Sequence, residues 1–303
     1  MEQVTFKLGG YFLALLLAYG MKRAGILKKE DSGAVTRIIL NVTLPATAVG
    51  AFASLSRDFS YLLLVAAGFT ASFVPWIAAA AASRKKDAAT RALYLCNCPT
   101  LNLGAFAMPF LQIMLPPSAV AAVCLFDIGN AIVIHGTVLP LSASFLKTGS
   151  RGKGAAATLR EVFRSVAFCA YILMLVLFLL NIQFPDVVYS VLENFSAPNG
   201  FLVMFNLGLL LEFSFNWKQL KNVLGIAAIR LANSAVFAAA FFFLLPFDSV
   251  IRKGMVMAVF APTAAICPFM TGECGGDESL SSFCVTVCEI ISAAALVILL
   301  YIL

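Results

Sequence analysis

Residues 96–110, CNCPTLNLGAFAMPF, and 257–279, MAVFAPTAAICPFMTGECGGDES, hold the side chains best suited to binding a ligand within an otherwise apolar chain. Each stretch carries two prolines: Pro99 and Pro109 in the first, Pro262 and Pro268 in the second. A proline inside a helix has no N–H of its own and leaves the carbonyl four residues earlier without its donor, here Leu95, Ala105, Ala258 and Ala264. Asn97, Thr100, Asn102, Thr263 and Thr271 stand ready as polar partners. A broken helix presents a half-helix N-terminus, whose N–H groups and dipole favour anions. Because neither stretch has Lys, Arg, Asp or Glu at its core, a small organic anion fits this chemistry better than a cation. The plain alternative is a pair of ordinary proline kinks without a ligand.

Ionisable residues inside apolar segments are costly and are functional candidates by default. Asp127 lies in CLFDIGNAIVIHG, with Asn130 one turn on and His135, the single histidine, two turns on. Glu289 shares a stripe with Ser282 and Thr286, at spacings of four and three, which predicts that it faces the bundle interior. Either carboxylate can carry a coupling proton or sodium ion, or act as a structural acceptor for a broken helix, Arg230 or Arg37. His135 reads most simply as a satisfied interior histidine.

The elements that must position these residues follow from composition. Of 303 residues, 61% are hydrophobic and 12% charged, against roughly 25% charged in an average soluble domain. This is the composition of an integral membrane protein. A helix needs about 20 apolar residues to span a bilayer, and charged or turn-rich breaks leave about ten spans, near 4–20, 35–54, 61–82, 91–115, 118–146, 161–181, 188–213, 222–246, 253–271 and 278–303. Glu2 in place of a basic leader, with no small-residue cleavage site, makes span 1 a retained span. Fifteen of the 21 Lys and Arg residues fall in the loops after spans 1, 3, 5 and 7, whereas Arg37 and Arg230 are placed at helix edges. By the positive-inside rule those loops face the cytoplasm and both termini face out, in a cytoplasmic or inner membrane. The net charge of +6 is then a product of topology and gives nucleic-acid binding no support. The eight cysteines read as reduced packing residues, and one histidine with no second ligand pair argues against a metal site.

The hydrophilic connection at 147–160 separates five spans (1–146) from five more (161–303). An odd number of spans per half means that two repeats must be inverted relative to each other. Pro45 to Pro109 and Pro198 to Pro262 are each 64 residues, pairing span 2 with 7 and span 4 with 9. Non-helical backbone at membrane depth is tolerated where it is buried in protein or lines a watery cavity. Two broken spans in corresponding places point to a midplane site in a secondary transporter.

ILNVTLPATAVGAF in span 2, CNCPTLNLGAFAMPF in span 4, NGFLVMFNLGLLL in span 7 and APTAAICPFMTGECGGDESLSS running into span 10 resemble the auxin efflux carrier family along the whole chain. Its bacterial members include malonate and malate permeases, and its plant members the PIN-FORMED auxin exporters. The resemblance implies an all-α, ten-helix inverted-repeat fold with helices 4 and 9 crossed at the substrate site. It also implies elevator movement of a transport domain (spans 3–5 and 8–10) against a scaffold (spans 1, 2, 6 and 7). Pro109 and Pro262 would be the crossover prolines, with Asn97, Asn102 and Thr263 near the ligand; Thr100, Gly104 and Pro268 complete the candidate substrate residues. The long hydrophilic insertion of many plant exporters is absent, and span 3 carries no charged residue. The sodium-coupled bile acid symporters are similar in broad plan, although Thr100 and Leu101 stand where their Cys-Pro-Gly-Gly element has glycines.

The expected function is secondary transport of small organic anions by alternating access, without a cofactor and with coupling to H+ or Na+ left open. A bile-acid-type sodium symporter is the runner-up. A channel would want a continuous polar lining, and an intramembrane hydrolase a nucleophile and base in reach; the sequence offers neither, so no enzymatic activity is expected. The expected partners are the anion and the lipid bilayer, and a homodimer is compatible with the sequence.

Overall fold

The computed structural model describes residues 2–55, 58–147, 163, 165–211 and 220–303. Most of the 147–160 connection, the start of span 6 and the end of span 7 lie outside the described residues. Within them every regular element is helical: α1 (Glu2–Arg23), α2 (Lys29–Phe52), α3 (Phe59–Ala82), α4 (Ala88–Asn97), α5 (Leu103–Met114), α6 (Pro117–Leu146), α7 (Val166–Leu180), α8 (Asp186–Ser196), α9 (Asn199–Leu210), α10 (Leu220–Leu244), α11 (Ser249–Ala258), α12 (Cys267–Glu273) and α13 (Glu278–Ile302). Of these, α2, α3, α6, α10 and α13 are long and apolar enough to cross a bilayer unaided, as a membrane protein requires.

Helix starts are set by side-chain caps that occupy the orphan N–H groups of the first turn. Asp87, Ser165, Asp248 and Asp277 accept from the backbone N–H of Thr90, Phe168, Ile251 and Leu280 at 2.9, 3.3, 2.9 and 3.0 Å. The Thr90 hydroxyl and N–H together hold the Asp87 carboxyl below its ordinary range.

Prolines are accommodated in two ways. Pro45, Pro109 and Pro140 each follow a π-helical turn, Ile39–Thr43, Leu103–Ala107 and Ile132–Val138. The wider turn absorbs the missing N–H and the helix runs on, so Pro109 does not break its span. Pro99 and Pro262 do mark breaks, over 98–102 and 259–266. Pro268 sits in the first turn of α12, where a missing N–H costs nothing. Pro198 separates α8 from α9. The two equally spaced proline pairs therefore occupy unlike local structures. The Ala258 and Ala264 carbonyls, expected to be bare, accept from Ala261 and Cys267 N–H groups at 3.1 and 3.0 Å.

Of the five long apolar helices, α6 is the most enclosed. It lies directly on α3, with α2, α7 and α11 around it. Gly68 of α3 and Gly129 of α6 make that approach possible: a Cβ on Gly129 would stand 2.0 Å from the Val65 carbonyl, and one on Gly68 1.9 Å from that of Phe126. On the other side of the molecule α1 packs along α9, where Lys22 donates to the last carbonyls of that helix, Leu209 and Leu211, at 2.7 and 2.5 Å.

Candidate functional site

The two breaks meet. The Asn102 N–H donates to the Pro262 carbonyl at 2.8 Å. The Thr100 and Thr263 hydroxyls are 3.0 Å apart, and the Ala264 N–H donates to Thr100 Oγ1 at 3.0 Å. Thr263 Oγ1 also donates to the Asn97 carbonyl at 2.5 Å. Each break thus supplies hydrogen-bond partners that the other lost on unwinding, which is how non-helical backbone survives away from water.

Sequence reasoning placed Asn97, Thr100 and Thr263 against a ligand, and the structure gives their polar groups to the protein itself. Asn97 is fully buried; its amide nitrogen donates to the Leu93 carbonyl and Thr271 hydroxyl at 2.8 and 3.2 Å, while its oxygen accepts from Ser281 at 3.0 Å. It ties α4 to α12 and α13. Cys267, expected only to pack, places its sulfur 3.1 Å from both the Thr100 hydroxyl and the Cys96 carbonyl. Asn102 commits its backbone to Pro262 and Ala107 and keeps its side-chain amide uncommitted among the described residues.

On the α6 side, Asn130 reads the unwound chain as a peptide would. Its amide nitrogen donates to the Leu101 carbonyl at 2.8 Å and its oxygen accepts from the Leu101 N–H at 3.3 Å. Ser72 of α3 donates to the same oxygen at 2.9 Å, and the Asn130 nitrogen also donates to Asp127 at 2.8 Å. The other Asp127 oxygen faces the first turn of α5: a Cβ on Gly104 would lie 3.8 Å from it and 3.7 Å from the Tyr171 hydroxyl. Tyr171 comes from α7, is 2% exposed, and sets its hydroxyl against the Asp127 carboxylate. Asn102, Gly104, Asp127 and Tyr171 therefore gather at the start of α5.

Pro109 lies ten residues beyond Pro99, inside the continuous helix α5, whereas Pro99 lies in the unwound segment that meets Pro262 and Thr263. Glu289 is half-buried, Ser282 is exposed, and no hydrogen bond or ion pair holds Glu289 among the described residues. Along the expected stripe, Thr286 is half-buried like Glu289, and only Ser282 at the start of α13 lies exposed. The buried face of α13 carries Leu280, Ser281, Phe283, Cys284, Val285, Cys288, Ser292 and Leu296. His135 is half-buried in the π-helical turn of α6.

The residue that sequence reasoning missed is Arg230. It lies inside α10, not at a helix edge, and is 7% exposed. One guanidinium nitrogen donates to the carbonyls of Asn97, Cys98 and Thr100 at 3.0, 2.9 and 2.6 Å; the other donates to Ala261 at 2.8 Å. Ser234, one turn on, donates to the Val259 carbonyl at 2.6 Å. An arginine mid-span in an otherwise apolar helix was the available signal. Arg37, by contrast, is exposed.

A cavity of about 750 Å³ opens between α1, α2, α5, α6 and α8, with Lys7, Thr47, Gln112, Val120 and Glu193 in its lining. Gln112 accepts from Asn199 at 3.2 Å, and Asn199 accepts from Thr43 at 2.6 Å. Val120 precedes Asp127 by seven residues on α6, about 10 Å at the helical rise.

The chain is similar over 289 residues to a protein of Methanothermobacter thermautotrophicus named an uncharacterized transporter, with 25% identity covering 93% of this chain and 92% of the relative. No family model matches the chain. The likeness supports a transporter.

Proposed function

We propose that this transporter-like chain is a secondary carrier of small organic anions, most simply carboxylates, working by alternating access around the crossing of its two broken helices. The observation that carries this is the mutual pinning of the breaks through Thr100, Thr263 and the Asn102–Pro262 bond. Such a crossing is a midplane binding arrangement in inverted-repeat carriers.

On this proposal the helices make ten spans in two inverted halves, with α4–α5 and α11–α12 as spans 4 and 9. The scaffold is α1, α2, α7, α8 and α9, and the remainder moves against it as an elevator. The cavity lies along that division, since Lys7, Thr47 and Glu193 belong to the scaffold and Gln112 and Val120 to the moving part. An anion entering there reaches the N-terminal turn of α5, whose N–H groups lack intrahelical acceptors. Asn102 and Tyr171 offer it further donors. Asp127 stands beside the same turn and competes with the anion while it is ionised, so binding is linked to its proton. The protein lies in a cytoplasmic membrane with both termini outside, and a homodimer is its proposed assembly.

The test is thermal unfolding of the detergent-purified protein against mono- and dicarboxylates, indole acids and bile acids. A ligand that binds only the folded state adds about 2.7 kcal/mol at a hundredfold excess over its dissociation constant. Stabilisation by a small carboxylate, together with its uptake into proteoliposomes, is expected. No shift from any anion would overturn the anion specificity.

A further inference from the structure

Five carbonyls at the two breaks, that of Asn97 at the end of α4 and those of Cys98, Thr100, Val259 and Ala261 in the unwound segments, accept from two side chains of a single helix, α10. Four of them converge on Arg230. They include the C-terminal end of α4, with its partial negative charge, and the Ala261 carbonyl of the unwound chain that follows α11, so carbonyl dipoles from both breaks meet at one guanidinium. In carriers with discontinuous helices, unwound carbonyls and half-helix C-termini of this kind coordinate the coupling cation.

We infer that the Arg230 guanidinium is a built-in counter-ion, occupying the seat in which an alkali cation would otherwise hold the crossing together. An ion bound there could be exchanged and spent on coupling. A guanidinium cannot leave, because it is tethered to α10. Its planar fork holds one nitrogen on carbonyls of the first break and another on Ala261 of the second, at a fixed spacing that a single ammonium nitrogen lacks. The consequence for mechanism, that anion movement is independent of sodium at this crossing, rests on the carrier function proposed above. The chemical assignment, a cation seat filled by the chain itself, does not.

The experiment follows unfolding of the purified protein in sodium, potassium and choline chloride at equal ionic strength, with no transport substrate present. The wild-type midpoint is expected to be the same in all three. Arg230→Ala strips the carbonyls of their donor and should lower the midpoint by roughly 10 °C. Millimolar guanidinium or sodium should then restore part of that loss in a saturable manner. Arg230→Lys keeps the charge without the fork, and is expected to fold with an intermediate midpoint and no sodium dependence. It remains informative where the alanine variant does not fold.

Stabilisation of the wild type by sodium over choline would overturn the inference. So would an alanine variant with an unchanged midpoint, or a lysine variant that needs sodium. Uptake of a carboxylate is measured separately in proteoliposomes with and without a sodium gradient. Absence of any flux alongside the expected stability profile would sink the carrier function and leave the counter-ion standing, whereas sodium-driven flux through the wild type would sink the counter-ion's role in coupling.

Discussion

At the scale of single residues, the crossing is compensated from within. Arg230 supplies positive charge where the C-terminal end of α4 meets the unwound chain after α11, and Asp127 supplies negative charge beside the first turn of α5. Asn130 joins them indirectly, since it holds both Leu101, in the segment that Arg230 caps, and Asp127 itself. The place of Asp127 gives a pH dependence its sign. Ionised, it repels an incoming carboxylate; protonated, it becomes a donor. Anion affinity should therefore rise as pH falls, for a substrate whose own carboxyl, at an ordinary value near 4, stays ionised over the range. Asp127→Asn should bind with the tighter affinity at every pH and lose the slope. A variant whose slope matches the wild type would remove Asp127 from the site, and calorimetric titration at two pH values decides it.

At the scale of elements, the crossing depends on how close α3 and α6 come. Ser72 of α3 can reach Asn130 of α6 only because Gly68 and Gly129 let the two backbones touch, the small-residue packing that membrane helices favour. Gly129→Ala would improve helix propensity by at most about 1 kcal/mol. It would also drive a methyl group into the Val65 carbonyl and Phe69 nitrogen, backbone atoms that cannot rotate away. The expected net loss is about 2 kcal/mol, seen as a lower unfolding midpoint and weaker anion binding. A variant as stable as the wild type would show that the interface can slide without cost. The π-helical turns matter at this scale too, since they let α2, α5 and α6 carry a proline and remain continuous.

At the scale of the whole molecule, the proposed orientation can be tested directly. With the lysine-rich loops in the cytoplasm, as the positive-inside rule expects, Lys85 would lie inside and Asp186 outside, both on exposed positions. Asp186→Cys should react with an impermeant thiol reagent on intact cells. Lys85→Cys should react only after permeabilisation. The reverse pattern would invert the topology, and with it the side on which the 750 Å³ cavity opens.

By itself the sequence determined that the chain is helical and apolar enough for a membrane, and that residues 96–110 and 257–279 depart from plain helix. Composition and proline chemistry act locally, so no partner had to be known. It also singled out Asp127 and Asn130, because a carboxylate and an amide one turn apart in an apolar segment must find each other or water. Only the tertiary structure decided which proline breaks a span. Pro99 and Pro109 have the same covalent chemistry, but one meets a crossing partner and the other a π-helical turn. The same holds for Arg230, whose importance lies in carbonyls more than 100 residues earlier in the chain. Long-range contacts and packing volume made those choices, and neither leaves a mark at fixed spacing along the chain.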